Sequence, residues 1–264
     1  MELNTAQAQR ALFLAAVCQQ TYKQFSNLDG SFVLPYGYSL FDVIEAESLV
    51  GVWERFGFIL QTDDEIIVAF RGSSSAPNWV ADVIATQRKP KWSKSPCLTH
   101  RGFTNIYDSA RKHIHSLLKR LPEHKKLYIT GHSLGAALAT LCAFDMAMNT
   151  NRTPILFTYA SPRVGDPDFM KLFTKQVPNS YRISNAFDAV THAPPNVFKL
   201  PKQDKSYYYS HVPADYPLHF ASLSLSDNHS LGNYFGELTK LDPLFVQRLE
   251  QANPGFCPVP EAVV

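Results

Sequence analysis

The sequence predicts an α/β domain with a central, mostly parallel sheet flanked by helices. Three observations carry this. Short β-branched runs alternate with helical patterns through most of the chain. One run passes through a glycine–serine–glycine turn directly into a helix rich in Ala and Leu, the junction that βα units are made of. The chain, 264 residues with a 45% hydrophobic and an 18% charged fraction, is long enough to bury a sizeable core without metals or disulfides. We read residues 1–264 as a single domain.

Near the N-terminus, Leu14, Val17, Cys18, Thr21, Tyr22 and Phe25 recur at helical spacing. Gln19, Gln20, Lys23 and Gln24 fall on the other face, so the segment reads as an amphipathic helix. It is a poor secretory leader: Glu2 offsets Arg10, the apolar run is short, and cleavage before Cys18 would meet the branched Val17. The expectation is a cytoplasmic protein, or a secreted one whose leader has been removed. Strands are expected at 56–60, 66–70, 127–130, 155–159 and 181–184. The clearest helix spans 101–121, with Phe103, Ile106, Tyr107, Ala110, Ile114, Leu117, Leu118 and Leu121 on one face and Pro122 closing it. Residues 89–96 read as a surface loop, 194–217 as irregular with a strand through 207–209, and 254–264 as a tail.

Composition excludes several functions. A formal net charge of +2 with no Lys/Arg run argues against a nucleic-acid partner. No apolar stretch is long enough to span a bilayer. Cys18, Cys97, Cys142 and Cys257 lack metal-like spacing, and no cluster of oxygen ligands calls for calcium, so neither metal nor cofactor is expected. Cys142 lies in the Ala-rich helical stretch and reads as a small buried hydrophobe. Cys18 and Cys257 can be bridged only if the fold brings the two ends together.

The strongest chemical signal is Gly131-His132-Ser133-Leu134-Gly135, between a β-branched strand and a helix. Such an elbow holds a serine in a strained backbone conformation over a helix N-terminus, whose dipole and amides favour developing negative charge. A serine needs a base oriented by an acid. Asp188 follows the strand at 181–184, at the carboxyl edge where sites in open α/β sheets gather. Asp166 and Asp168 read better as helix caps, and Asp204 and Asp215 fall in irregular, exposed segments. Among His192, His211, His219 and His229 we choose His229, at the start of a late helix. His192 stands too near Asp188 in sequence, and His211 and His219 read as structural. The backbone N–H of Leu134, the residue after the nucleophile, is an expected oxyanion donor, and His132 a supporting residue.

Taken together, the chain resembles the class 3 lipases, the family of the fungal triacylglycerol lipases and many bacterial relatives. The matching segments are Val68-Ala-Phe-Arg71-Gly72-Ser73-Ser74-Ser75, Asn78-Trp79-Val80-Ala81-Asp82, His100-Arg-Gly102-Phe103, the serine elbow, Tyr159-Ala-Ser-Pro162-Arg163-Val164-Gly165, and the segments around Asp188 and His229. The resemblance implies an α/β-hydrolase fold with a short helical lid, and hydrolysis of lipid or other carboxylic esters through an acyl-enzyme at a lipid–water interface. It places Ser73 in the oxyanion hole, lets Asp82 hold Ser73, and puts the lid at Trp79, Val80 and Val83. Alternatives on the same scaffold are a feruloyl esterase, a phospholipase A1 or an acyltransferase. A non-catalytic lipid-binding module would be expected to lack a member of the triad, and none is missing.

Overall fold

A computed structural model describes residues 2–73, 85–200, 204–222 and 224–260. The chain opens with helix α1 (Thr5–Ser26), capped by Asn4 in a reciprocal capping box with Gln7. It then forms a seven-stranded sheet whose spatial order is its sequence order. The strands are β1 (Ser39–Glu47), β2 (Trp53–Gln61), β3 (Glu65–Phe70), β4 (Lys126–His132), β5 (Ile155–Tyr159), β6 (Ser180–Asn185) and β7 (Asp215–Leu218). β1, β2 and β3 form an antiparallel meander, and from β3 onward every pairing is parallel. A parallel pairing needs a crossover, which α2 (Arg101–Lys119), α3 (Leu134–Asn149) and α4 (Pro167–Gln176) supply. The chain closes with α5 (Leu225–His229), α6 (Leu231–Thr239) and α7 (Pro243–Ala252).

The strand period of two divides the core. Ile66, Val68 and Phe70 of β3 pack with Ile129, Phe103, Ile106, Leu138 and Phe144 on the face covered by α2, α3 and α4. Ile67 and Ala69 point the other way, toward Leu14, Val17, Tyr234 and Phe235 on the face covered by α1 and α6. Central strands buried on both faces read as continuous apolar runs, which is why 66–70 and 155–159 were legible. α3 is buried from Leu134 to Met146, as a helix apolar all round must be. Each large apolar side chain that α2 buries contributes roughly 1.5–3 kcal/mol.

Several expectations are corrected. β1 and α7 were not expected. The irregular segment hides β7, whose Asp215 pairs with Arg182 at 3.1 Å and accepts a hydrogen bond from Ser184 at 2.7 Å. Asp215 is thus part of the sheet edge rather than an exposed loop residue. Its strand carries Pro217, which an edge position tolerates. The expected tail is anchored as far as it is described: Phe256 is buried, and Gln20 Nε2 donates to the carbonyls of Gly255 and Phe256. All four thiols are free, Cys18 being hydrogen-bonded to Thr130 rather than bridged to Cys257. Burial pushes the Cys18 and Cys257 thiols up to about 12, so both stay protonated.

Candidate active site

The site forms at the carboxyl ends of β3, β4 and β6. Ser133 follows β4 with φ 59° and ψ −126°, a region that costs a non-glycine residue about 1–3 kcal/mol and persists only where the surroundings enforce it. They do so here by close approach. A Cβ on Gly131 would run into the carbonyl oxygen of Gly135, and one on Gly135 into that of Phe70, so the turn can be this tight only with glycine at both positions. The Ser133 N–H donates to the Tyr159 carbonyl at 3.0 Å, pinning the elbow to β5. Leu134 opens α3; the Ser133 carbonyl accepts from the Ala136 and Ala137 amides, and the Leu134 amide precedes any intrahelical acceptor.

The three residues read from sequence as nucleophile, base and acid lie in one hydrogen-bonded chain. His229 Nε2 is 2.8 Å from Ser133 Oγ, and His229 Nδ1 is 2.8 Å from Asp188 Oδ2. A carboxylate only accepts, so Nδ1 carries the proton and Nε2 is left to accept from the serine. Asp188 has no exposed side-chain surface. Its Oδ1 accepts from Val190 N at 2.9 Å, and its Oδ2 accepts a second bond, from Tyr234 OH, at 2.8 Å. These donors compensate the burial of the charge. His229 sits at the end of α5 rather than at a helix start. Ser224 caps that short helix, and Ser230 is the N-cap of α6, so His229 lies in the break between two helices.

The other histidines are placed elsewhere. His192 Nε2 meets the Ala186 carbonyl at 3.0 Å and His211 Nε2 the Thr191 carbonyl at 2.6 Å, while burial pulls the His211 imidazole down to about 3 and keeps it neutral. Asp166 caps α4 by accepting from Phe169 N, as read from sequence, with Asp168 in the first turn. Ser73 follows β3 on the loop Arg71-Gly72-Ser73. Because Phe70 is in register with Gly131, this loop runs beside the elbow: a Cβ on Gly72 would stand 3.1 Å from that of Ser133. Ser73 and Leu134 line one cleft of about 350 Å³ together with Leu49, Val52, Phe56 and Ile106. Trp79, Val80, Asp82 and Val83 lie outside the described residues.

Two residues at the site were not read as such. Tyr234 holds Asp188, and the only sequence signal was its place five residues after His229 on a helical face. Tyr22 read as a core residue of α1, yet its hydroxyl lies 2.8 Å from His132 Nδ1. Among the described residues no group of three His, Cys, Asp or Glu side chains is placed to hold a metal ion.

A mostly parallel sheet with a strained serine between strand and helix at its carboxyl edge defines an α/β-hydrolase fold. Solved structures agree: lipase II from Rhizopus niveus superposes with a TM-score of 0.61 at 24% identity, covering 74% of this chain and 77% of that one. The family model for lipase (class 3) matches residues 67–198, and the chain belongs to that family. Among its relatives, the secreted mono- and diacylglycerol lipase A of Penicillium cyclopium is 37% identical over 136 residues, 50% of this chain and 44% of that protein. The chloroplastic phospholipase A(1) DAD1 of Arabidopsis thaliana is 32% identical over 160 residues, 53% of this chain and 36% of that protein. The chain thus spans about half the length or less of these relatives.

Proposed function

We propose that this protein hydrolyses carboxylic esters of lipids, acylglycerols foremost, with Ser133 as nucleophile, His229 as general base and acid, and Asp188 as the group that orients the imidazole. The observation that carries the reading is the Ser133–His229–Asp188 chain, two contacts of 2.8 Å ending on a serine at positive φ. Ser133 Oγ attacks the ester carbonyl carbon as its proton passes to His229 Nε2. The resulting imidazolium donates from Nδ1 to Asp188. The backbone N–H groups of Leu134 and Ser73 receive the negative charge on the carbonyl oxygen. The C–O bond then breaks, Nε2 returns the proton to the departing alcohol, and a water activated by the same imidazole releases the acid.

Lipid rather than small soluble esters is favoured by the surface beside the cleft. The turn between β1 and β2 carries Leu49, Val50 and Val52, and Trp53 opens β2; Val50 and Trp53 are 84% and 58% exposed. Such a cluster is more than the scatter of single apolar residues normal on a protein surface, and it lies where a hydrocarbon phase would meet the site. Trp79, Val80 and Val83 keep their place in this reading as a flap, and Asp82 as the residue that holds Ser73. No helix among the described residues is long and apolar enough to cross a membrane. A second reading, a phospholipase A1, is favoured by the Arabidopsis relative.

The test is hydrolysis of a chain-length series of p-nitrophenyl esters, of emulsified triglyceride and of phospholipid vesicles. Cleavage of long-chain emulsions is the expected result. Turnover confined to short soluble esters would overturn the lipid reading, and turnover greatest on phospholipid would select the phospholipase.

A further inference from the structure

His132, buried, and Tyr22, half-buried, are titratable groups at the site that the mechanism does not use. His132 Nε2 lies 2.9 Å from the backbone carbonyl oxygen of His229, and its Nδ1 lies 2.8 Å from Tyr22 OH. A carbonyl oxygen only accepts, so Nε2 must carry a proton. Burial, reinforced by the neighbouring His229, pulls the His132 imidazole well below its usual range, so the ring is neutral and carries only that one proton. Nδ1 then has a lone pair, and the Tyr22 hydroxyl must donate to it. Burial pushes the Tyr22 hydroxyl up, which keeps its proton available. The Tyr22 oxygen in turn lies against the Gly72 backbone, whose N–H acts on it against the effect of burial. A Cβ on Gly72 would collide with that oxygen, so the close approach requires glycine.

With the Tyr22 oxygen seated against Gly72, these contacts form a one-way chain, from Tyr22 O–H to His132 Nδ1 and from His132 Nε2–H to the His229 carbonyl. We propose that Tyr22 is a positioning residue: by donating to Nδ1 it joins the His229 carbonyl in holding His132 in the Nε2–H tautomer, and His132 thereby fixes the backbone of the general base relative to the Gly72–Ser73 loop. The alternative tautomer would turn a lone pair toward the His229 carbonyl, push the base away from Ser133 and leave two buried acceptors facing each other. Without the Tyr22 hydroxyl only the His229 carbonyl selects between the two, and Nδ1 loses its donor. Helix α1 thus reaches into the site through one side chain. The inference rests on His229 being the base.

Two measurements test it. In the whole protein labelled with ¹⁵N at histidine, the His132 ring nitrogens report the tautomer without any need for turnover. Nε2–H is expected in the native chain, and a mixture in Tyr22→Phe. A native Nδ1–H tautomer, or one unchanged by Tyr22→Phe, would overturn the proposal even if Ser133→Ala shows the triad reading to be right. The second measurement is kinetic. Tyr22→Phe is expected to lower kcat on a p-nitrophenyl ester about tenfold with KM unchanged, an effect of the order of one lost hydrogen bond in the transition state. In a His132→Gln background the glutamine amide supplies a donor at the Nε2 position with no tautomer to lose. There Tyr22→Phe is expected to cost less than about threefold. Equal losses in both backgrounds would show Tyr22 to be structural only. Thermal unfolding of each variant separates misfolding from misplacement, and the ¹⁵N result on native protein stands whichever variants fold.

Discussion

Removing one oxygen atom, in Tyr234→Phe, probes how the carboxylate of the site is held. Tyr234 is fully buried, its hydroxyl donates to Asp188 Oδ2 at 2.8 Å, and it accepts from Asn185 N at 2.8 Å. Burial, then the adjacent Asp188, pushes this phenol well above its usual range, so it is a proton donor at every working pH. Phenylalanine takes away one of the three hydrogen bonds that the described residues make to this buried carboxylate and strands the Asn185 N–H. A bond to a charged group is worth about 1.5–3 kcal/mol and a stranded buried donor about 1–3 kcal/mol, so with incomplete additivity the loss should be about 2–4 kcal/mol. For a chain of this size that lowers Tm by roughly 4–16 °C. Asp188 keeps its bonds to Val190 N and His229 but is freer to rotate, and a misplaced orienting group should lower kcat roughly 10- to 100-fold with little change in KM. The assay is calorimetry together with steady-state hydrolysis of a soluble ester. A Tm within about 2 °C of native and an unchanged kcat would refute the reasoning, since Val190 and His229 would then suffice to hold the carboxylate.

Other perturbations have equally definite outcomes. His100 caps α2 through Nδ1, which accepts from Gly102 N at 3.1 Å, and burial pulls its imidazole down to about 4. Because the unfolded chain binds that proton near pH 6.5, this stability is present above about pH 6.5 and is lost as pH falls toward 4, by about 3 kcal/mol in all. His100→Asn keeps an acceptor at the cap and should flatten the loss in urea titrations between pH 7 and 4.5, and an unchanged pH slope would contradict this. Gly131→Ala forces a Cβ onto the Gly135 carbonyl and should cost at least about 3 kcal/mol, seen as a lower Tm or loss of soluble protein; native-like melting would refute the elbow geometry. Asp145, fully buried between α2 and α3, accepts from Tyr107, Arg111, His115 and Asn149, and those hydrogen bonds outweigh burial to hold its carboxyl below the usual range. Asp145→Ala should destabilise by about 3–5 kcal/mol while the folded fraction keeps its kcat, and a kcat loss exceeding the unfolded fraction would mean this cluster reaches the site.

The parts of the fold legible in the sequence were those whose signal is local. Ile66 to Phe70 and Ile155 to Tyr159 are apolar runs because both faces are buried, and α2 shows one apolar face over five turns. β7 was illegible because an edge strand of four residues, with Asp215 half-buried and Pro217 inside it, has neither period nor propensity; only its pairing to β6 makes it a strand. β1, half exposed at the opposite edge, lacked a sharp alternation for the same reason. At the site, Ser133 and Leu134 were legible from the glycines that the elbow requires, and Asp188 and His229 from chain order. Tyr234 and Tyr22 were not, because a tyrosine whose hydroxyl meets a polar partner inside a core has the same spacing as one that merely fills it. His132 was singled out by its place in the motif, but its two partners come from residues 110 and 97 positions away in the chain.

The central claim is that Ser133 is the nucleophile of an ester hydrolase. The most direct test treats native protein and Ser133→Ala with a p-nitrophenyl alkylphosphonate, counts released nitrophenol, maps the adduct by mass spectrometry, and follows ester turnover in the same samples. One equivalent of nitrophenol, an adduct on Ser133 alone, and loss of both labelling and turnover in Ser133→Ala are the predicted results. Ester turnover that survives in Ser133→Ala at a native rate, or an adduct on any other residue that abolishes it, would contradict the account.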